Sequence, residues 1–290
     1  MIKTALIGCG YWGSKLLKYL KADQRFKVCF VCNSKTKMSQ VWDQVEAAVV
    51  ATPINSHYQI VKQALLKKKH VLAEKPLALK TKQCLELKKL AERQKKILLT
   101  EYTWTFSQGL AKAKKADIGQ IKAMELDIKH LGRFLKWDVY WLLASHLLSI
   151  LDLFVPLSSL KFRKIDLFQD RGLTETGMII FKNNQLKGRI NISTNYPEKQ
   201  TKVVIYGTKG TIIYQPTAEK SLRIGWYKKT PHLLAKDLLV KSKSYSIDEM
   251  NNLKYAVNYF YQTIKKSAPT NIQTAVQITK IIEKIKPVCF

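Results

Sequence analysis

The chain has 290 residues, of which 50 are Lys or Arg and 21 are Asp or Glu, so its formal net charge is +29. Its hydrophobic share of 46% is typical of globular proteins and excludes a disordered chain. No apolar stretch approaches the roughly 18 residues that a membrane-spanning helix needs.

Five cysteines form an odd, scattered set, which favours a reducing compartment over a disulfide framework. The first strand leads directly into a glycine turn, which leaves no room for a signal peptide. We therefore expect a cytoplasmic protein, and the length favours two domains.

The basic residues are 43 Lys and only 7 Arg, spread over the whole length. Proteins that grip phosphates and base edges rely on Arg, because its planar fork bonds bidentately. The composition therefore favours a solvated, lysine-rich surface, and we expect no nucleic-acid partner. A nucleic-acid-associated protein that exploits the charge is kept as an alternative class.

Strands and helices alternate in the first part of the chain, as a parallel sheet with crossover helices requires. Short apolar runs predict strands at Ile2 to Ile7, Phe26 to Cys32, Ala47 to Ala51, His70 to Ala73 and Ile97 to Leu99. Helical spacing predicts helices at Ser14 to Leu20, His57 to Leu66 and Lys80 to Gln94. This order predicts an α/β fold that begins with a Rossmann domain, a doubly wound parallel sheet, over residues 1–104.

The pattern changes after residue 104. Turn signals separate runs that predict a largely antiparallel, open sheet, with strands at Ala123 to Ile128, Ser159 to Asp166, Thr176 to Phe181, Gly188 to Ser193, Lys202 to Tyr206 and Thr211 to Tyr214. Two helices, Glu249 to Ala268 and Ala275 to Ile285, are expected to close this domain. Residues 105–290 are therefore predicted to form a second α/β domain.

The turn after the first strand reads Gly8-Cys9-Gly10-Tyr11-Trp12-Gly13. Between a strand and a helix, the first glycine permits the tight turn, the second lets a pyrophosphate approach the backbone, and the third lets the helix pack on the sheet. The free N–H groups at the helix start favour an anion. The turn predicts dinucleotide binding, and the alternative is a purely structural tight turn.

No acidic residue follows the second strand, where a carboxylate would bind the ribose hydroxyls of NAD. The sequence there is Asn33-Ser34-Lys35-Thr36-Lys37. Hydroxyl and lysine side chains suit a 2′-phosphate, so this segment slightly favours NADP, although lysine is abundant throughout the chain. Both NAD and NADP stay open.

Further motifs stand in order along nearly the whole chain: Ala51-Thr52-Pro53 with His57, Glu74-Lys75-Pro76, Ile118 to Ile121, Trp141 to Leu151 around His146, and Tyr206 to Gly210. With the glycine turn, they resemble the Gfo/Idh/MocA oxidoreductases, the relatives of glucose-fructose oxidoreductase and inositol dehydrogenase. The resemblance implies an NAD(P)-binding Rossmann domain and a C-terminal domain whose open sheet forms a substrate floor and often an oligomer interface. It implies a sugar or sugar-nucleotide substrate.

The same resemblance implies two catalytic residues. Lys75 would lie beside the nicotinamide and the reacting sugar hydroxyl, and His146 would act as general acid/base, a role that its ordinary pKa suits. The resemblance and the segment after the second strand together predict a cofactor site formed by Gly8, Gly10, Tyr11, Trp12, Gly13, Asn33, Ser34, Lys35, Thr52, Pro53, His57, Glu74, Lys75 and Pro76.

These residues also have structural interpretations. Lys75 could be one of many solvated lysines, His146 a core histidine, and His57 a residue that caps or packs a helix start. We expect no metal site, because Cys29 and Cys32 lie three apart in a strand and so point to opposite faces.

Two departures from the family pattern leave a second function open. Many relatives carry an Asp one helical turn before the histidine and an acidic residue after it, where this chain has Leu142 and Leu147. Asp138 or Tyr140 could supply the missing support. Only residues 34–46 stand where the family has a helix and a further strand, so we expect the Rossmann sheet to lack one edge unit.

We therefore predict an NAD(P)-dependent oxidoreductase that transfers a hydride between the cofactor and a hydroxyl or keto carbon of a sugar or sugar nucleotide. The alternative is a catalytically degenerate relative that binds a nucleotide or sugar without turnover.

Overall fold

The computed structural model describes residues 1–132, 137–228, 239–249, 251–266 and 268–288. The chain forms two compact units. Unit 1 comprises Met1–Phe106 and Asn251–Glu283, and unit 2 comprises Ser107–Met250 and Lys284–Phe290.

Unit 1 contains a parallel sheet whose strands lie in the order β2-β1-β3-β4-β5. The strands are β1 (Ile2–Ile7), β2 (Phe26–Cys32), β3 (Ala47–Val50), β4 (His70–Glu74) and β5 (Leu98–Glu101). The three inner strands are buried almost throughout, as expected of a sheet covered on both faces. The prediction of a Rossmann sheet is confirmed.

The helices that connect these strands are α1 (Tyr11–Ala22), α2 (Ser39–Trp42), α3 (His57–Leu66) and α4 (Thr81–Arg93). Between β2 and β3 the chain forms only the single turn α2, so β2 is an edge strand. The predicted loss of one helix-strand unit at this edge is confirmed. All parallel strands point the same way, so the turns after β1, β2, β3, β4 and β5 meet at the carboxyl edge of the sheet.

Unit 2 contains a sheet in the order β13-β12-β11-β10-β6-β9-β8-β7, in which only β6 and β9 pair in parallel among the described strands. Its strands are β6 (Ile121–Leu131), β7 (Lys161–Asp170), β8 (Leu173–Lys182), β9 (Lys187–Ser193), β10 (Asn195–Gly207), β11 (Gly210–Tyr214), β12 (Leu222–Tyr227) and β13 (Leu239–Tyr245). The largely antiparallel sheet is as predicted.

Helices α5 (Gln108–Lys114) and α6 (Ser145–Phe154) also belong to unit 2. Met124, Leu126 and Ile190 are buried on one face of the sheet. Alternate residues such as Arg189 and Ile180 are exposed on the other face, and Ile180 keeps 37% of its surface exposed. The sheet is therefore covered on one side only.

Two further helices, α7 (Asn252–Lys266) and α8 (Ile272–Lys284), pack with unit 1. Phe260 of α7 stacks on Phe26 of β2, with ring centroids 6.2 Å apart, and joins the same core as Leu16 of α1. The sequence pattern predicts that these helices belong to the second domain, whereas the structure groups them with unit 1. The apolar spacing of a helix shows that one face is buried, but it does not show which core that face will join. Met250 and Ser267, inside the first predicted helix, lie outside the described residues.

None of the helices in the described ranges is long and apolar enough to cross a bilayer.

Candidate functional site

The three glycines of the glycine turn differ in their surroundings. Two are closely packed against backbone atoms, and one faces open space. Gly8 has a φ of +89°, and a Cβ there would lie 2.6 Å from the carbonyl oxygen of Ala51. A Cβ on Gly13 would overlap the carbonyl oxygen of Gly8. A Cβ on Gly10 would meet no atom within 4 Å. Gly8 and Gly13 are therefore required by the fold, whereas Gly10 leaves an approach to the backbone that a ligand can use.

The start of α1 suits an anion. Gly10 is the N-cap and has no side chain to satisfy the free N–H groups of the first turn, which contains no acidic residue. The rings of Tyr11 and Trp12 are partly exposed, and the Lys15 ammonium lies 4.2 and 4.7 Å from their centroids. The residues present fit the pyrophosphate of a dinucleotide, because free donors, a helix dipole and open space coincide here.

The turn after β2 lies next to the glycine turn, since the Gly8 N–H donates to the Cys32 carbonyl at 2.9 Å. Asn33 organises it: its Oδ1 accepts from the Lys35 N–H at 2.9 Å, and its own N–H donates to Thr36 Oγ1 at 3.0 Å. Ser34 and Lys35 are exposed. This Asx turn presents hydroxyl and ammonium groups in the position where a dinucleotide-binding fold recognises the ribose.

His57 connects the turn after β3 to the turn after β4. Its side chain is buried, with Nε2 2.7 Å from the Thr52 carbonyl and Nδ1 2.8 Å from the Pro76 carbonyl. Burial lowers the pKa of His57, the two carbonyls oppose that shift, and the charge of Lys75 adds to it. A neutral imidazole donates to only one carbonyl, whereas an imidazolium donates to both. In either form the ring fixes Pro76, and with it Lys75, relative to Thr52 and Pro53.

Lys75 follows the last residue of β4, and its bond to Pro76 is cis. Burial lowers the pKa of Lys75 to about 8, against the opposing effect of the Glu74 and Glu101 charges. Burial likewise raises the pKa of Glu74 to about 7, although the Lys75 charge opposes the shift. A lysine with this pKa can both accept and release a proton near neutral pH, which is what a proton-transfer residue needs.

Glu101 is a site residue that sequence reasoning missed. It is the last residue of β5, only 1% exposed, and stands in register with Glu74 on the neighbouring strand. Its pKa is raised well above the ordinary value, first by burial and then by the Glu74 charge. The available signal was a lone carboxylate ending a buried apolar strand, but its pairing with a residue 27 positions earlier depends on the strand order.

The structure thus brings the predicted residues of unit 1 together at one edge of its sheet. Hydrogen bonds and close contacts run from the turn after β2, through Gly8 and Thr52, to His57 and Pro76. The remaining predicted residue, His146, belongs to unit 2.

His146 is half-buried on α6 between fully buried residues, Ser145 and Leu147. The helix is preceded by a π-helical turn, Tyr140–Ala144, a distortion that is frequent at functional sites. Leu142 lies in that turn, where many relatives have an Asp, and it brings no charge to the histidine.

The two residues considered as substitutes for the missing carboxylate have other contacts. The Asp138 carboxylate accepts from the backbone N–H groups of Tyr140 at 3.0 Å and Thr174 at 3.3 Å. The Tyr140 hydroxyl donates to the Ile165 carbonyl at 3.0 Å, and burial raises its pKa. Asp138 therefore anchors the π-helical turn to β8, and Tyr140 anchors it to β7.

Part of unit 1 matches a family of known proteins. Residues 33–102 match the family described as GFO_IDH_MocA, "Oxidoreductase family, NAD-binding Rossmann fold". A curated relative, the uncharacterized oxidoreductase YfiI of Bacillus subtilis, is 36% identical over 92 residues, which are 30% of this chain and 23% of that protein. The match thus spans less than a quarter of the relative's length.

Two solved structures are similar over both units. UDP-N-acetylglucosamine 3-dehydrogenase GnnA from Acidithiobacillus ferrooxidans has a TM-score of 0.88 at 15% identity, covering 98% of this chain and 96% of that one. A variant of a 3-ketoreductase from Actinomadura kijaniata, in complex with TDP-benzene and NADP, has a TM-score of 0.81 at 15% identity, with coverages of 98% and 96%. At such identities the likeness shows the fold.

Proposed function

We propose, since the chain belongs to the Gfo/Idh/MocA oxidoreductase family, that it is an NAD(P)-dependent oxidoreductase. It would transfer a hydride between a nicotinamide and a hydroxyl or keto carbon of a sugar or sugar nucleotide. The observation that carries this proposal is the arrangement at the carboxyl edge of unit 1, where a pyrophosphate-compatible glycine turn connects through Thr52 and His57 to Lys75.

The cofactor would be held by residues of unit 1. Gly10 and the first turn of α1 would take the pyrophosphate, and the turn at Asn33 and Lys35 would meet the adenosine ribose. Thr52, Pro53 and the Glu74-Lys75-Pro76 turn would border the nicotinamide. When bound, the nicotinamide supplies the hydride acceptor or donor.

The protein's part in the reaction is proton transfer. When an alcohol is oxidised, its hydroxyl proton must leave as the hydride departs, and Lys75 can receive it because burial has lowered the lysine pKa to about 8. In the reverse direction Lys75 returns that proton to the carbonyl oxygen. His146 would act as the second acid/base group, because a ring nitrogen of histidine can accept and release a proton near neutral pH.

The family and the charge support a proposal for the substrate class. One similar structure is named for UDP-N-acetylglucosamine, and another was solved with TDP-benzene and NADP. A chain with a net charge of +29 attracts anionic ligands, which include both sugar nucleotides and dinucleotides. We therefore favour a sugar nucleotide as substrate.

NADP is the favoured cofactor, because the turn after β2 offers Ser34 and Lys35 and has no carboxylate. Lys35→Ala is expected to weaken NADPH binding several-fold and to leave NADH binding unchanged. Equal effects on both cofactors would overturn this choice.

The test of the proposed function is cofactor binding followed by turnover. NADH or NADPH is expected to quench tryptophan fluorescence and to raise the Tm. A panel of nucleotide sugars is then expected to contain one that reduces NAD(P)+. Absence of any response to either cofactor at millimolar concentration would remove the proposal.

A catalytically degenerate binder is the second candidate. Leu142 and Leu147 stand where relatives carry acids, and Asp138 binds backbone N–H groups. A leucine side chain can neither accept a hydrogen bond from an imidazole nor stabilise its positive charge. Saturable cofactor binding without hydride transfer on any substrate of the panel would favour this candidate.

We also propose that the open face of the unit 2 sheet forms a homo-oligomer interface. A cavity of about 1290 Å³ lies at β6 to β9 on this sheet, with Phe162, Ile180 and Pro287 among its apolar lining. Light scattering is expected to show an oligomer for the wild type and a smaller species for Ile180→Glu. A wild-type monomer would contradict the proposal.

A further inference from the structure

Two buried carboxyl groups stand side by side next to Lys75. Glu74 is 8% exposed and Glu101 is 1% exposed, and they are paired in register on β4 and β5. Neighbouring strands lie about 4.8 Å apart, and residues in register point to the same face, so the two side chains leave adjacent strands side by side.

One oxygen of each carboxyl group is unsatisfied. Glu74 Oε1 and Glu101 Oε1 are buried and have no hydrogen-bond partner among the described residues. The other oxygen of Glu101, Oε2, accepts a hydrogen bond from Thr103 Oγ1 at 2.7 Å. Two ionised carboxylates would leave both Oε1 atoms as buried acceptors without a donor, at a substantial cost in free energy.

One proton shared by the two carboxyl groups would give both Oε1 atoms a hydrogen-bond partner. If Glu101 carries a proton on Oε1, that O–H can donate to Glu74 Oε1, while Glu101 Oε2 still accepts from Thr103. The titratable groups around the pair are Lys75 at the end of β4 and, through its contact with the Lys75 turn, His57 at the start of α3. One carboxylate then matches one ammonium, which is the charge balance that a buried cluster favours.

We propose that Glu101 is a positioning residue that keeps a proton on Oε1 and donates it to Oε1 of Glu74, so that the pair carries one negative charge beside Lys75. The directions of the pKa shifts agree with this assignment: Glu101 is raised well above its ordinary value, and Glu74 is raised less. The two groups titrate as a pair.

The pair determines how readily Lys75 exchanges a proton. Two full negative charges would hold Lys75 as an ammonium, and no charge would let burial remove its proton well below neutral pH. One shared charge keeps the lysine between these limits. This consequence rests on the proposed function, whereas the protonation of Glu101 does not.

Infrared difference spectroscopy tests the protonation directly on the full chain. The wild type at about pH 8, above the pKa of Glu74, is expected to show the C=O stretching band of a buried carboxylic acid, and Glu101→Gln to lose it. The matched control is Glu92→Gln, on an α4 side chain that is 62% exposed, which is expected to retain the band. Absence of the band in the wild type, or its persistence in folded Glu101→Gln, would overturn the proposal without any reference to activity.

The pH dependence of kcat gives a second readout, because glutamine is a neutral donor like a protonated glutamate. Glu101→Gln is expected to leave the pKa of Lys75 in the profile unchanged. Glu74→Gln removes the only charge of the pair and is expected to shift that pKa down by at least one unit. Equal shifts in the two variants would show that Glu101 is ionised and contradict the proposal. A wild type without turnover would refute the proposed function. The infrared result alone would then decide whether Glu101 is protonated.

Discussion

Serine substitutions at two glycines of one turn are expected to affect different properties. Gly13→Ser is expected to lower the stability of the fold, and Gly10→Ser to weaken cofactor binding. Gly13→Ser places a Cβ against the Gly8 carbonyl oxygen, a backbone atom that cannot give way without moving the turn. Overpacking of this kind costs about 1–3 kcal/mol of stability. Gly10→Ser places its Cβ where no atom lies within 4 Å, at an N-cap position that serine fits at least as well as glycine.

The stability of Gly10→Ser is therefore expected to lie within about 0.5 kcal/mol of the wild type. Its cofactor affinity is expected to fall, because the new side chain occupies the approach to the backbone and its hydroxyl binds the N–H groups that the pyrophosphate needs. A tenfold rise in Kd corresponds to about 1.4 kcal/mol, and we expect at least that.

Urea unfolding measures the stabilities, and fluorescence titration with NADH and NADPH measures the affinities. Gly13→Ser is expected to lower the unfolding midpoint, and Gly10→Ser to weaken binding at a nearly unchanged midpoint. A Gly10→Ser variant that binds both cofactors like the wild type would refute the assignment of this glycine to the pyrophosphate. A fully stable Gly13→Ser would refute the packing argument.

Three further perturbations address the rest of the site. The folded-state pKa of Glu74, about 7, lies above its ordinary 4.5, so the native state binds more protons and the contribution of this group makes stability fall as pH rises from 4.5 to 7. For Lys75 the folded pKa, about 8, lies below its ordinary 10.5, so this contribution makes stability rise again above pH 8. Glu101 adds to the fall caused by Glu74, whereas the lowered pKa values of His57 and His70 oppose it, so the readout is the difference in urea midpoint between the wild type and Glu74→Gln. This difference is expected to shift in favour of the variant as pH rises from 4.5 to 7, and a difference that does not depend on pH would contradict the assignment. His57→Ala removes contacts to two buried carbonyls and should cost on the order of 2–4 kcal/mol in urea unfolding, and a wild-type midpoint would show that the ring does not hold the two turns together. Lys75→Ala and His146→Ala should each abolish turnover in a spectrophotometric assay while leaving the Kd for NAD(P)H unchanged, and full activity in either variant would remove that residue from the mechanism.

Local patterns predicted the parts of the fold that depend on neighbours in sequence. The apolar runs gave the parallel strands, and the glycine spacing indicated both the tight turn and the open approach at Gly10. The short segment between β2 and β3 predicted the missing edge unit, because thirteen residues from Ser34 to Glu46 cannot form a helix, a strand and their turns.

Contacts between distant residues could not be predicted in this way. The pairing of Glu74 with Glu101 depends on β4 and β5 being neighbours in a fixed register. The position of α7 depends on which core its apolar face joins, and Phe260 meets Phe26 from far along the chain. The two hydrogen bonds of His57 depend on how closely the turns after β3 and β4 approach each other.

Hydride transfer measured with wild type and Lys75→Ala in parallel tests the central claim most directly. The wild type, given NADP+ or NAD+ and a panel of nucleotide sugars, is expected to reduce the cofactor with at least one of them, and Lys75→Ala to bind the cofactor equally well without reducing it. Reduction at the same rate by Lys75→Ala would contradict the account.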